Sequence, residues 1–497
     1  VHINDDGSIL LNMDYFAFRE SPGMITSKFE SLFGGPARKS SENITKKTRD
    51  IAKSIQVVTE EIVIKMARHV QQITGARNLC MAGGVALNCV ANGKILEEKI
   101  FDNIWIQPSA GDAGGAVGAA LGYYYSKKNA VKRRDGICLQ KGSLFGPGFS
   151  DDEVKAYLDS FGFKYSQLTA AERNKTVAAY LADGKIVGHF NGRTEFGPRA
   201  LGNRSILGDP RSETAQSSLN LKIKFRESFR PFAPSVLQED VSTYFKLDHP
   251  SPYMLIVAPV NEDRCIHNSN GYKNDLFEIV NEKRSDLPAI THVDYSARIQ
   301  SVSKEDNPVY YDLINEFKKL TGYGVVINTS FNVNGEPVVC TPRDAVRCFM
   351  KTDMDVLMIN NFLLLKKEQQ QPEPVNKMAA PVYTNANKKF EGGSNDAMRL
   401  FEKYFPQFNS FKQNLLLDAT QLQSTWEVFS NQPYFQPGLA LAATTAKDIT
   451  QQWHHIDAEN KEAFNELLTE LLRLSKKYKL KPEETEHAVS ENMYVMF

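Results

Sequence analysis

The sequence NGRTEFGPRALGNRSILGDPR, residues Asn191 to Arg211, holds four glycines, two prolines and four arginines in 21 residues. Most of it follows neither a helical nor a strand period of apolar residues, so we predict a shaped loop. The run KIVGHF, Lys185 to Phe190, precedes it and predicts a buried strand that delivers the loop. Glycine lets a ligand approach the main chain, and arginine supplies a planar cation for phosphate or carboxylate. The pattern favours an anion site over a surface loop with solvated arginines.

The composition indicates several folded domains without excess charge. The chain has 497 residues, enough for about two to four domains. Its 59 Lys and Arg balance 59 Asp and Glu, which argues against a general nucleic-acid or membrane-surface binder. Six cysteines without a CxxC pair, no signal peptide and no apolar run of membrane length predict a cytoplasmic protein. Because the chain begins at Val1, we expect an N-terminal piece to precede it.

The first part of the chain predicts an α/β domain. A long helix is expected from about Ser41 to Thr74, with Gly75 as its C-cap. Strands and helices then alternate, with glycine turns after the strands. The predicted elements are a strand at 78–82, a helix at 88–98, a strand at 103–107 and a helix at 116–125.

Two glycine loops follow the two strands of this domain. AGGVALN ends at Asn88 and PSAGDAGGA surrounds Asp112. Glycines between a strand and a helix present N–H groups to an anion, although a tight turn without a ligand is an alternative. Asp112 could hold a metal or a ligand hydroxyl, or could simply cap the next helix. Together the loops favour a cleft for a nucleotide or a phosphoryl ligand at the carboxyl edge of the sheet.

A second α/β domain is predicted after a linker at 129–150. Its helices are expected at 151–161, 169–183, about 310–321 and 342–351, and its later strands at 324–328, 356–359 and 362–365. Further cations follow the arginine loop in KIKFRESFRPF, of which Lys224 and Arg230 are expected to be held among apolar residues and Lys222 to be solvated. Asn328 to Ser330 ends a strand with small polar donors, or forms a capped turn. His292 and Asp294 are either a catalytic or a structural pair on a strand.

No familiar nucleophile motif is present in the sequence. There is no GxSxG, no zincin motif and no Walker A lysine loop. Donors and cations for anions, next to a glycine-lined cleft, suit phosphoryl or acyl-phosphate chemistry, in which the protein mainly positions and neutralises charge.

Five separated motifs, in order, resemble the O-carbamoyltransferases of the NodU nodulation-protein and antibiotic-tailoring type. They lie at 82–95, 108–122, 191–207, 223–236 and 328–339. The resemblance implies a partial ASKHA (Kae1-like) domain at 1–128, a YrdC-like carbamoyl-adenylate-forming domain at 151–366 and a homodimer as one option for the assembly. It also implies that carbamoyl phosphate and ATP, with Mg²⁺ as an option, give carbamoyl adenylate. The carbamoyl group then passes to a hydroxyl of a small acceptor, a sugar or natural product, assisted by iron.

The resemblance also assigns roles to residues. Arg199, Arg204, Lys224, Arg230, Asn328 and Ser330 would contact carbamoyl phosphate or the adenylate. Three of these, Lys224, Arg230 and Ser330, would be catalytic. Asp112 would bind the metal. Five residues of the glycine loops would line the nucleotide site: Gly83, Gly84, Asn88, Gly114 and Gly115.

The chain departs from that family at three points. No HxxxH motif is present to complete the metal site, since His2 and His69 stand alone. Tyr295 stands where the family usually has a small residue, which would alter the local pocket. The part beyond residue 366 lies outside the resemblance and predicts a flexible linker at 367–396 and a helical extension at 397–497.

Two other functions remain open from the sequence. One is a threonylcarbamoyl-adenylate synthase or transferase acting on tRNA, which the neutral charge disfavours. The other is a degenerate scaffold that binds a partner through the helical extension.

Overall fold

The computed structural model describes residues 1–18, 24–39, 42–127, 140–226, 230–267, 280 and 282–369. The chain divides into two units, one of residues 1–10 and 41–371 and the other of residues 11–40 and 372–497. The predicted flexible linker lies almost entirely, and the predicted helical extension entirely, outside the described residues. Among the described helices, none is long and apolar enough to cross a membrane.

In the second unit, the described residues form one helix, α1 (Ser27–Leu32), and a short 3₁₀ turn, Met13–Tyr15. Phe29 packs between Phe16 and Phe33, with ring centroids 5.9 and 4.6 Å away. These aromatic contacts hold the turn and the helix together.

The first unit opens with a hairpin of β1 (His2–Ile3) and β2 (Ile9–Leu10) and the long helix α2 (Lys46–Thr74). The α2 helix ends as predicted, because Gly75 adopts φ 63° and its N–H bonds to Gln71. A parallel pair follows, β3 (Asn78–Met81) and β4 (Asn103–Ile106), with α3 (Cys89–Glu97) between them and α4 (Ala113–Lys127) after them. The α4 helix begins three residues before the predicted start.

The rest of this unit is built on a nine-stranded mixed sheet, so the fold is mixed α/β. Its strand order is β5-β13-β12-β6-β7-β11-β8-β10-β9. Two neighbouring pairs are parallel, β12 with β6 and β10 with β8, and the others are antiparallel. The strands are β5 (Ser166–Gln167), β6 (Val187–Phe190), β7 (Arg204–Gly208), β8 (Ala233–Leu237), β9 (Ile256–Pro259), β10 (Ser296–Val302), β11 (Val325–Ser330), β12 (Val356–Ile359) and β13 (Phe362–Leu365).

Helices accompany the sheet. They are α5 (Asp151–Ser160), α6 (Ala170–Ala182), α7 (Ala215–Ser218), α8 (Val241–Tyr244), α9 (Pro308–Thr321) and α10 (Pro342–Lys351). One apolar cluster joins α6 and α9 to the sheet through residues such as Val177, Phe317 and Val326, all fully buried. A second cluster contains α10 and the β3–β4 segment as well as the sheet.

Two predictions about elements are wrong. The last part of the predicted loop is β7, a central strand buried at all five residues. A short strand buried on both sides has no alternation to reveal it, and Arg204 at its start looks like a surface residue. His292 and Asp294 do not lie on a strand but in the turn before β10, where Tyr295 N–H donates to His292 O at 3.0 Å.

The two α/β parts of this unit pack directly on each other. Asn92 on α3 donates to the carbonyl of Leu255, beside β9, at 2.9 Å. A Cβ added to Gly93 would lie 2.1 Å from the carbonyl oxygen of Val257. Only glycine permits this approach, so the helix backbone lies against the sheet edge.

Candidate functional site

Lys224 is the centre of the site that the structure assembles. It ends a π-helical turn, Leu219–Lys224, and is 3% exposed. Its Nζ atom donates to the Oγ and carbonyl oxygen of Ser330, and to the Oδ1 and carbonyl oxygen of Asn332 at 2.8 and 3.0 Å. Ser330 also donates to Asn332 Oδ1 at 2.7 Å. We call Lys224, Ser330 and Asn332 the lysine cluster.

The ammonium of Lys224 lies in an unusual electrostatic environment. Burial, and secondarily the charge of Arg226, lowers the pKa of Lys224 to about 7. Among the described residues, no carboxylate forms an ion pair with it. A buried cation held only by neutral oxygens is costly, and an anionic ligand would relieve that cost.

Arg226 and Asn332 belong to this site although the sequence did not single them out. Arg226 follows Lys224 by two residues, and Asn332 follows Ser330 by two. The Arg226 Nε donates to Asn220 Oδ1 at 2.7 Å, and its guanidinium lies 5.2 Å from the ring of Phe232. The sequence signal that could have indicated them is this spacing of two residues, which separates the two cations and also separates the two polar residues.

The arginine loop is ordered from within by two charged residues. Glu195 accepts N–H bonds from Leu201, Asn203 and Arg204 at 2.7, 2.8 and 3.2 Å. Arg204, fully buried, donates to four carbonyls and lies 3.5 Å over the ring of Phe190. Those carbonyls belong to Pro147, Asn191, Gly192 and Asn203. The loop is therefore preorganised.

The arginines of the loop differ in their surroundings. Arg193 donates to the carbonyls of Gly146 and Phe145 at 2.9 and 2.6 Å, and Arg211 pairs with Asp209 at 2.6 Å. Arg199 is partly buried, and burial together with the charge of Arg298 lowers its pKa to about 10. Arg199 and Arg298 thus form an electropositive pair.

The start of β7 joins the loop to the lysine cluster. Ser205 pairs with Ser330 across β7 and β11, and Phe331 N–H donates to the carbonyl of Arg204 at 2.9 Å. Two other predicted residues of this region, Arg230 and Asn328, do not belong to the lysine cluster. Arg230 is exposed, and its carbonyl accepts from Asn220 at 2.8 Å. Asn328 is buried in a polar network and donates to Ala200 O, Ser235 Oγ and Gln300 Oε1 at 3.1, 3.0 and 2.8 Å.

The glycine loops form the turns that the sequence predicted. Gly83 has φ 101° and donates to Ala110 at 2.8 Å, and Gly84 begins a 3₁₀ turn. Asn88 caps α3 by accepting from Ala91 at 3.1 Å, and its amide also bonds to Gln56. Its side-chain donor and acceptor thus both have partners within the protein.

The second glycine loop surrounds the start of α4. A Cβ on Gly114 would lie 2.2 Å from Ser109 O, whereas Gly115 has open space. Asp112 is exposed and directly precedes α4. In the described part of the chain, no group of three metal-ligating side chains includes Asp112. Among the described residues, Asp112 alone does not make a complete iron site.

Comparisons with known proteins show which family this chain is similar to. The carbamoyltransferase N-terminus model matches residues 2–121, and the carbamoyltransferase C-terminus model matches residues 178–366. A protein of Synechocystis sp., "Uncharacterized protein sll1178", is 53% identical over 74% of this chain and 60% of its own length. "Nodulation protein NolNO" of Sinorhizobium fredii is 40% identical over 69% of this chain and 48% of its own length.

"Nodulation protein NolO" of Bradyrhizobium diazoefficiens is also 40% identical, over 65% of this chain and 56% of its own length. The chain thus spans about half to three fifths of the length of these relatives. Together the two family models cover most of the chain between β1 and β13. On this evidence, the chain belongs to the carbamoyltransferase family.

Proposed function

We propose that the chain is part of an ATP-dependent O-carbamoyltransferase and that the lysine cluster is its site of carbamoyl activation. The observation that carries this proposal is the buried Lys224 ammonium, held by Ser330 and Asn332 without a carboxylate partner among the described residues. Carbamoyl phosphate and ATP are both anions, and either would supply the missing charge.

The electropositive surroundings support the same assignment. Arg226 beside Lys224, and Arg199 of the preorganised loop beside Arg298, provide two cationic centres. Planar guanidinium groups suit phosphate oxygens, and an ordered site does not have to rearrange as charge develops. In this reading Arg204 shapes the loop and need not contact the ligand.

In the proposed reaction, water releases phosphate from carbamoyl phosphate and leaves carbamate. A carbamate oxygen then attacks the α-phosphorus of ATP, pyrophosphate leaves, and carbamoyl adenylate forms. The ammonium of Lys224 neutralises phosphate charge during this step. Transfer of the carbamoyl group to a small hydroxyl-bearing acceptor completes the proposed activity.

We infer that residues 151–366 are the YrdC-like domain and residues 1–128 the C-terminal part of a Kae1-like domain. The nine-stranded sheet with the lysine cluster supports the first assignment. The parallel pair β3–β4 with its following helices and glycine loops supports the second. The iron expected in the second domain remains a prediction, and Asp112 is the ligand that the sequence assigns to it.

The test is the release of pyrophosphate when the protein is incubated with carbamoyl phosphate, ATP and Mg²⁺. Turnover should require both substrates and should be lost in Lys224→Met, while Lys222→Met on the same turn retains it. Lys222 is exposed and is the matched control. Equal rates in the two variants, or no dependence on carbamoyl phosphate, would exclude this function for the lysine cluster.

A further inference from the structure

Three metal-ligating side chains lie together on one short segment that the proposed reaction does not use. Glu262, Cys265 and His267 each offer one ligand atom, and these atoms all lie within 4.8 Å of one another. The Nε2 of His267 is already 2.6 Å from Glu262 Oε1. Glu262 and His267 are exposed and Cys265 is half-buried, so an ion could reach all three.

The main chain that carries these side chains is fixed on both sides. A 3₁₀ turn spans Glu262–Arg264, and the Arg264 Nε donates to Thr243 O at 3.0 Å. On the other side, Ile266 N–H donates to Arg284 O at 2.7 Å. The three ligands are therefore held near one another by contacts that do not involve an ion, which lowers the ordering cost of binding one.

The position of Tyr295 supports a defined orientation for His267. The two ring centroids are 4.8 Å apart, and the Tyr295 hydroxyl donates to Ile266 O at 3.4 Å. Tyr295 also has φ 62°, a conformation that a bulky residue seldom adopts. The large residue that the sequence marked as a departure thus limits how the His267 imidazole can turn.

We propose that Glu262, Cys265 and His267 form a surface zinc site with a fourth coordination position open to solvent. Thiolate, imidazole and carboxylate are the ligands that Zn²⁺ accepts, while Ca²⁺ and Mg²⁺ favour oxygen alone. A thiolate and a carboxylate together neutralise the dication.

Lys246 is the principal competitor for this position. Its Nζ lies 3.7 Å from Glu262 Oε2, and both side chains are more than half exposed. An exposed pair at this distance is weak and screened by salt, so a bound dication displaces it. The site does not depend on the proposed carbamoyl chemistry.

The experiment is a zinc titration of the chelator-treated full chain in competition with a coloured zinc chelator. We expect one equivalent whose affinity falls at least tenfold in Cys265→Ser and in His267→Gln. Cys80→Ser, at an exposed thiol on β3, should bind as the unchanged chain does. His267 is a surface residue, so that variant keeps the fold even where Cys265→Ser does not.

Cobalt provides a second readout that is independent of any catalytic activity. Co²⁺ in place of Zn²⁺ should give a thiolate-to-metal charge-transfer band that is absent from Cys265→Ser and kept in Cys80→Ser. The proposal is overturned if no equivalent binds, or if Cys265→Ser and His267→Gln bind as tightly as the unchanged chain. Loss of the equivalent in Asp112→Ala with retention in His267→Gln would also overturn it.

Discussion

The Nζ atom of Lys224 lies 2.8 Å from the side-chain oxygen of Asn332, two residues beyond the strand that ends in Ser330. This bond fixes the position of a buried ammonium whose neighbours are neutral oxygens. The amide of Asn332 is itself held, since its Nδ2 donates to Glu336 O at 2.7 Å. Asn332 therefore positions Lys224.

Asn332→Ala should lower pyrophosphate release on the order of 100-fold, because Lys224 loses one acceptor and its fixed geometry. The matched control is Asn334→Ala, which removes an exposed asparagine from the same loop. Steady-state rates with carbamoyl phosphate and ATP measure the difference. Similar rates for the two variants would show that Asn332 does not position the lysine.

Anion binding should weaken as the pH rises through about 7, the lowered pKa of Lys224. Above that pH the free protein holds a neutral amine, and affinity for an anion that needs the ammonium falls by up to about tenfold per pH unit. Calorimetry with ATP at pH 6.5 and 8.5 tests this. Lys222→Met should keep the pH effect and Lys224→Met should lose it; an unchanged profile in Lys224→Met contradicts the assignment.

Substitution of Arg204 should mainly lower stability, whereas substitution of Arg199 should mainly lower activity. Arg204→Lys cannot reach four carbonyls with one ammonium, and we expect a loss of about 3 kcal/mol in the free energy of unfolding. Arg199→Ala should lose less stability than Arg204→Lys but most of its turnover. Urea unfolding and pyrophosphate release distinguish the two. An Arg204→Lys variant with full stability and no activity would return Arg204 to the ligand site.

His189 should make the protein sensitive to acid. Burial lowers its pKa from 6.5 to about 4, while its Nδ1 lies 2.6 Å from Gly202 O. Between pH 6.5 and about 4, the unfolded chain therefore binds a proton at His189 that the folded protein does not bind. Stability falls as the pH drops through this range.

The expected contribution of His189 across that interval is on the order of 3 kcal/mol. Urea unfolding at pH 7.5 and 5.0 measures the part of this contribution expected above pH 5, roughly 2 kcal/mol. His189→Gln should show a smaller acid loss than His249→Gln, which serves as the histidine control. Equal acid losses in the two variants would argue that His189 is protonated in the fold.

The contact between α3 and β9 gives a test of the packing. Gly93→Ala would bring a Cβ within 2.1 Å of Val257 O, and we expect a loss of roughly 2 kcal/mol or more in the free energy of unfolding. Gly118→Ala on α4 meets open space and should stabilise its helix by ~0.5–1 kcal/mol. A neutral Gly93→Ala in urea unfolding would mean that the two parts separate at low cost.

Local signals predicted some elements well. The helix at 342–351 has the predicted bounds, since Thr341 and Asp344 form a capping box and Pro342 occupies the first turn. The strands at 356–359 and 362–365 also agree, because they are short apolar runs separated by two asparagines. In each case the residues that set the boundary are close in sequence.

Contacts between distant parts of the chain could not be predicted from such local signals. The strand β7 pairs with β6 across the arginine loop on one side and with β11 on the other, and the β11 residues 327–330 lie far away in the chain. The contacts of Glu195 with three N–H groups lie within the loop, but they depend on its folded shape and not on a local periodic pattern. The same folded shape turns Arg204 inward.

By itself the sequence determined that this protein has an arginine-rich, glycine-shaped loop after a buried strand and carries the motifs of a carbamoyltransferase. Those features depend on residue type and spacing, which a sequence displays. Only the tertiary structure decided which cations form the site, because Lys224 and Asn332 are 108 positions apart and meet through the sheet. The tertiary structure also gave the two cations different roles. Arg204 donates to the carbonyls of the loop, whereas Lys224 is the cation that we propose to bind a ligand.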